Sequence, residues 1–132
     1  MPTNRSLTVV LPVRNVEPYL PDLFTALERN LNGDTGIDVV VVDDGSQDGT
    51  PAIIEQYQDR LPLRVIRHER AAGLADARNA GLDAATGRYV TFLDGDDWIG
   101  AGYLRRLVTV IDDLGCDFVR VDHVQVLSLI HI

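Results

Sequence analysis

Three carboxylates fall within four residues at Asp94-Gly95-Asp96-Asp97, directly after the apolar run Tyr89–Leu93. Like charges packed this closely repel one another unless a cation or a proton neutralises them. Hard oxygen donors on a glycine-containing turn suit Mg²⁺ or Mn²⁺, which keep several waters and bind through one or two carboxylates together with substrate phosphates. A divalent ion would also reconcile an acidic rim with a diphosphate ligand, because it lets carboxylates hold the phosphates and stabilise them as a leaving group. The competing structural role is a solvated turn in which Asp97 favours the positive end of the next helix.

A second acidic turn, Asp43-Asp44-Gly45-Ser46, closes the stretch VVVVDDGSQDGT. Adjacent side chains of an extended segment point opposite ways, so at most one of these aspartates faces a ligand while the other is free to bond the scaffold. Such a carboxylate at a strand end suits an N–H of a planar base or a ribose hydroxyl. Asp48-Gly49-Thr50-Pro51 fits a tight turn entering a helix, a structural role. Arg67, Arg70, Arg78 and Arg88 are the cations near enough in sequence to offset a polyanion, and Arg78, near the start of a helix with a small-residue face, stands out. His68 is a loop histidine without an evident partner, and Cys116, the only cysteine, reads as a small buried residue.

The whole chain narrows these options. Its 132 residues are one domain at most. A formal charge of −8 argues against nonspecific binding to nucleic acid or anionic membrane. Lysine is absent, which excludes a phosphate-loop lysine, a Schiff base or a lysine that neutralises an acyl phosphate. No glycine-rich turn follows the first apolar run, where Pro12-Val13-Arg14-Asn15 stands instead, so a dinucleotide fold and most phosphoryl-transfer folds fail. No apolar run reaches the ~18 residues of a membrane span, and the N-terminus lacks a signal-peptide layout, which points to the cytoplasm.

The elements that must position these residues alternate along the chain. Leu7–Leu11, Val39–Val42, Leu63–Ile66, Tyr89–Leu93 and Asp117–Val121 are short apolar, β-branched runs, continuous rather than alternating, as in parallel strands covered on both faces. Between them, Leu20, Leu23, Phe24, Leu27 and Leu31 recur at helical spacing, with Pro18 in the first turn. Thr50 reads as an N-cap before Pro51, with Ile53, Ile54 and Tyr57 as the buried stripe. Leu74, Ala77, Gly81 and Ala85 form a small-residue face that Gly87 stops, and Leu104, Leu107, Val108 and Ile111 a fourth stripe that Gly115 stops. The order predicts a three-layer α/β/α domain with a mostly parallel sheet. Ligands of such sheets bind beyond the carboxyl ends of the strands, which is where both acidic turns fall.

In order and spacing, LTVVLPVRNVEPYL, DVVVVDDGSQDGT and GLADARNAGLDAATGRYVTFLDGDDW resemble the N-terminal, nucleotide-sugar-binding half of a family-2 glycosyltransferase. The resemblance runs to about Val126 and implies the Rossmann-like GT-A fold. It implies inverting, metal-dependent transfer of a sugar from a nucleoside-diphosphate donor, a UDP-sugar first among them, to a hydroxyl of a saccharide, lipid-linked or other acceptor. Carried over by position, Pro12, Arg14 and Asp44 would line the base and ribose pocket and Arg78 would lie beside the nucleotide. Asp94 and Asp96 match the DxD pattern, Asp94 towards the ribose or a metal water and Asp96 as the direct ligand of Mn²⁺ or Mg²⁺, with Asp97 a helper. Arg14 departs from the aromatic residue often found there, although a guanidinium plane also stacks on a base.

In that family the general base lies downstream, so no catalytic base is expected within this chain. The 1–132 stretch reads as a single, truncated domain with an apolar tail at 127–132. The alternative function is a fragment that holds nucleotide and metal but lacks the base and acceptor wall. Peripheral membrane association would come from regions not present here.

Overall fold

The computed structural model describes residues 7–32 and 36–114. Four strands, β1 (Leu7–Val13), β2 (Ile37–Asp44), β3 (Leu63–His68) and β4 (Tyr89–Phe92), form one parallel sheet in the order β3-β2-β1-β4. The fifth expected strand, Asp117–Val121, lies outside the described residues, as do Gly115, Cys116 and the 127–132 tail. Every residue of β1 and β2 is buried, which is why their sequences run apolar without alternation. The outer two of the described strands, β3 and β4, are only half-buried.

The helices α1 (Leu20–Leu31), α2 (Thr50–Tyr57), α3 (Leu74–Ala84) and α4 (Tyr103–Leu114) cover both faces. Leu7, Val9, Leu11, Val39 and Val41 pack with the apolar stripes of α1, α2 and α4 in the main core, around Phe24 and Tyr57. Val40 and Val42 point the other way, against Ala77 of α3. These three layers are the α/β/α arrangement that the alternation of elements predicts. A Cβ on Gly81 would collide with Val10, so only glycine lets α3 lie this close to the sheet.

Four local expectations change. Pro18 lies in the turn ahead of α1, whose first turn holds Pro21 instead. Thr50 lies within α2 rather than capping it; its hydroxyl accepts the Val16 N–H at 3.0 Å, while Asp48 Oδ1 accepts the Thr50 N–H. Leu74 is exposed and leaves Ala77 and Gly81 as the buried face of α3. That helix ends at Ala84, ahead of Gly87, whose N–H instead bonds Thr8 Oγ1 at the foot of β1.

Two polar residues hold the frame from inside. At the amino end of the sheet, Thr8 donates to buried Asp38 at 2.8 Å. On α1, buried Asn30 donates to the Gly100 carbonyl and accepts the Leu104 N–H, so it satisfies an otherwise orphaned donor in the first turn of α4. The segment after the acidic turn is thereby fastened to α1. No helix among the described residues is long and apolar enough to cross a membrane.

Candidate functional site

The sheet order places β1 between β2 and β4, so the carboxyl ends of these three parallel strands, where ligands of such sheets bind, lie side by side. Five hydrogen bonds stitch the turn after β1 to the turn after β2. Asn15 N–H donates to Ser46 Oγ, and Asn15 Oδ1 accepts the Gln47 N–H. The Val16 N–H goes to Thr50 Oγ1 and the Glu17 N–H to Asp48 Oδ2, while Glu17 Oε1 accepts the Gly49 N–H. Asn15 has φ 52°, a left-handed conformation that asparagine tolerates better than most residues. The two rim loops therefore behave as one unit, and sequence reasoning found none of it apart from the Asp48–Pro51 turn.

Asp43 and Asp44 are both buried and face opposite sides, as the alternation requires. Asp43 Oδ1 accepts the Ser46 N–H, whereas its Oδ2 has no hydrogen bond and lies 4.0 Å from Arg67 Nε. Asp44 does more. Its Oδ1 accepts the Ala72 N–H at 2.9 Å and meets His68 Nδ1 at 2.8 Å, and its Oδ2 accepts the Gly73 N–H at 2.9 Å. Burial opposes the charge on Asp44, but the Ala72 N–H, the His68 ring and the Gly73 N–H outweigh it and hold the carboxyl below its ordinary value. His68 is thus the last residue of β3 with a definite partner, not an incidental loop histidine. Gly45, at φ 75°, lets the 70–71 backbone close over this turn: a Cβ there would stand 2.6 Å from the Ala71 nitrogen.

A recess of about 210 Å³ opens at this point, lined by Pro12, Val13, Arg14, Asp44, Gly73, Leu74 and Ala77. Pro12, Arg14 and Asp44, three residues from separate positions in the sequence, are brought to one wall. Exposed Leu74 becomes intelligible here as an apolar side of the recess rather than a core residue.

Arg78 follows Ala77 on α3 and connects the recess to the acidic turn. Its Nη2 lies 3.6 Å from Asp94 Oδ1, and its guanidinium sits 6.0 Å above the ring of exposed Phe92. Its Nε is buried without a hydrogen bond. Asp94, Asp96 and Asp97 each offer a carboxylate oxygen within 4.8 Å of the others. Asp97 Oδ2 also accepts the Asp94 N–H at 2.7 Å, and the Asp97 N–H bonds the Asp94 carbonyl, which closes the turn. Tyr103 packs nearby, its hydroxyl pushed up in pKa by burial and by the Asp97 carboxylate. Three hard oxygen donors, with the Arg78 guanidinium beside Asp94, fit a divalent ion, and Asp96 is the most exposed of the three.

Among known proteins, residues 8–126 match the family described as glycosyl transferase family 2. The chain belongs to this family. The glycosyltransferase EpsJ of Bacillus subtilis, described as uncharacterized, is 35% identical over 120 residues, covering 86% of this chain and 34% of EpsJ. The structure of residues 1–349 of S. aureus TarS in complex with UDP superposes with a TM-score of 0.77 at 36% identity, over 82% of this chain and 32% of that one. TarS is named a poly(ribitol-phosphate) beta-N-acetylglucosaminyltransferase. The mannosyltransferase PcManGT of Pyrobaculum calidifontis, in complex with GDP-Man and Mn²⁺, gives a TM-score of 0.74 at 28% identity, over 82% of this chain and 32% of its own. The family-2 chain has the α/β fold of these GT-A transferases. It spans about a third of the length of EpsJ, and 19% of TarS as a whole.

Proposed function

We propose that this chain binds the donor in an inverting, metal-dependent glycosyltransferase, with a UDP-sugar as donor and a saccharide or other hydroxyl as acceptor. The observation that carries the reading is the recess walled by Pro12, Arg14 and Asp44, joined through Arg78 to the carboxylates of Asp94 and Asp96. Asp44 Oδ2 retains acceptor capacity beyond its one backbone bond, enough to take an N–H from a base. Pro12 and Leu74 supply apolar surface for its ring, and Arg14 a planar cation able to stack on it. Uridine is favoured because TarS, whose structures include UDP and UDP-GlcNAc complexes, matches at higher identity than the GDP-Man-binding relative.

A bound Mn²⁺ or Mg²⁺, held by Asp96 and Asp94, would supply positive charge against the departing diphosphate. Arg78 adds a fixed cation on the same side, and Asp97 keeps the turn in shape. In the transfer itself the acceptor oxygen bonds the anomeric carbon as the bond from that carbon to the phosphate oxygen breaks. The acceptor proton passes to a base expected outside this portion of the domain. The chain's span of about a third of EpsJ supports a second reading, in which it holds donor and metal without transferring the sugar.

Calorimetry with UDP tests the proposal. Binding is expected in the presence of Mn²⁺, to weaken at least 10-fold on chelation, and to weaken similarly in Asp96→Asn. UDP binding indifferent to both would overturn the metal assignment, and no UDP binding at all would overturn the donor assignment.

A further inference from the structure

Two recesses lie against helices on opposite faces of the sheet. One is the Asp44 recess beside α3. The other, about 290 Å³, lies against α1 and is lined by Asp22, Thr25, Ala26, Arg29, Trp98, Ile99 and Ala101. Its floor is Ile99, a buried core residue, and its wall is Trp98, which is 57% exposed despite being the largest apolar side chain in the protein. Asp22 and Arg29 stand seven residues apart on α1, hence two turns or about 10 Å along one face. Both are exposed, and neither is paired with any charged group among the described residues. Nothing in the donor reading uses any of these residues.

We propose that this second recess is a saccharide subsite for the acceptor, with Trp98 as its stacking platform. An indole face attracts the C–H surface of a sugar ring, while a carboxylate and a guanidinium on the opposite side accept from and donate to its hydroxyls. The volume is at the small end of the ~300–1,000 Å³ of small-molecule sites, room for a short stretch of sugar rather than a long chain. Position argues the same way. Trp98 is two residues beyond Asp96, so their Cα atoms are no more than about 7 Å apart, and the sugar recess adjoins the acidic turn along the chain. Asn30 fixes the far end of that segment through Gly100, so the Trp98 wall is held against α1 rather than free to swing. The inference rests on the proposed glycosyl transfer for the meaning of the sugar, but not for its binding.

Trp98 is the sole tryptophan, so intrinsic fluorescence reports this recess alone. Chitotetraose, cellotetraose and mannotetraose are titrated into the full chain, with and without saturating UDP and Mn²⁺. The expected result is a saturable blue shift with at least one of them, retained when UDP is bound, and at least 10-fold weaker in Asp22→Ala/Arg29→Ala. Those two substitutions are on the surface, and an unchanged melting temperature shows that the variant folds. No saturable change with any of the three sugars overturns the proposal, as does loss of the shift on adding UDP. Emission that is already blue and shielded from acrylamide in the free protein also overturns it, because other parts of the chain would then fill the recess. Failure of UDP itself to bind strikes the donor reading instead, and is read by calorimetry independently of Trp98.

Discussion

Replacing Asp44 separates its two tasks, holding the Ala72–Gly73 backbone and facing the recess. The carboxylate accepts from Ala72, Gly73 and His68, one oxygen serving two donors and the other serving one. A hydrogen bond to a charged group contributes about 1.5–3 kcal/mol. Ala72 and Gly73 are exposed residues, so water can replace part of what is lost. Asp44→Asn keeps one acceptor oxygen and opposes an NH₂ group to the other donor, and is expected to cost roughly 1–2 kcal/mol, or a melting temperature lower by roughly 4–10 °C. Asp44→Ala removes both anchors and is expected to cost roughly 2–4 kcal/mol. UDP affinity should fall further than stability explains, about 10–100-fold at a temperature where the variant is still folded, with the Mn²⁺ dependence intact. The sign of the pH effect follows from the lowered pKa. The contribution of Asp44 is whole above the ordinary carboxylate value of 3.8 and is lost as pH falls below it through the folded-state value. Acid unfolding of Asp44→Asn should therefore be less steep below that pH than in the parent. Calorimetric melts from pH 2.5 to 7, with UDP titrations at neutral pH, measure all of this. Unchanged stability together with unchanged UDP affinity in Asp44→Ala would refute the reasoning.

Two further substitutions probe how the site is held. Gly45→Ala forces a Cβ onto the Ala71 backbone at φ 75° and should cost about 1–3 kcal/mol, with weaker UDP binding because the Ala72–Gly73 stretch must move; a melting temperature within 1 °C of the parent, on the order of measurement error, would contradict this. Asn30→Ala strands the Leu104 N–H and the Gly100 carbonyl and should cost about 2–4 kcal/mol, accompanied by faster hydrogen exchange at Leu104; unaltered exchange there would show that the cap is not needed.

The β-strands were legible because their apolar runs are continuous, and all four described ones match the parallel sheet that this pattern predicts. The acidic turns were legible too, since charge density at a strand end is a property of sequence. What escaped were contacts between residues about 20 to 70 positions apart, where no local pattern carries the signal. His68 had no visible partner because Asp44 lies on another strand, and Asn30 looked like one more polar helix residue although it caps α4. Asn15, Glu17 and Ser46 were overlooked because a zipper between two loops depends on strand order, and strand order is not written in either loop. Leu74 was misassigned to the core for a related reason: helical spacing identifies a face but not whether that face meets a sheet or a recess.

The central claim is that metal and nucleotide share one site formed by the acidic turn and the Asp44 recess. Binding linkage tests it directly, because a divalent cation and a diphosphate in contact raise each other's affinity, whereas uncoupled ligands leave it unchanged. Electron paramagnetic resonance counts free Mn²⁺ during a titration with and without saturating UDP. Relative to the same Mn²⁺ and UDP without protein, UDP is expected to tighten Mn²⁺ binding to the chain, and Asp96→Asn to abolish that effect. Mn²⁺ binding that ignores UDP, or coupling that survives in Asp96→Asn, would contradict it.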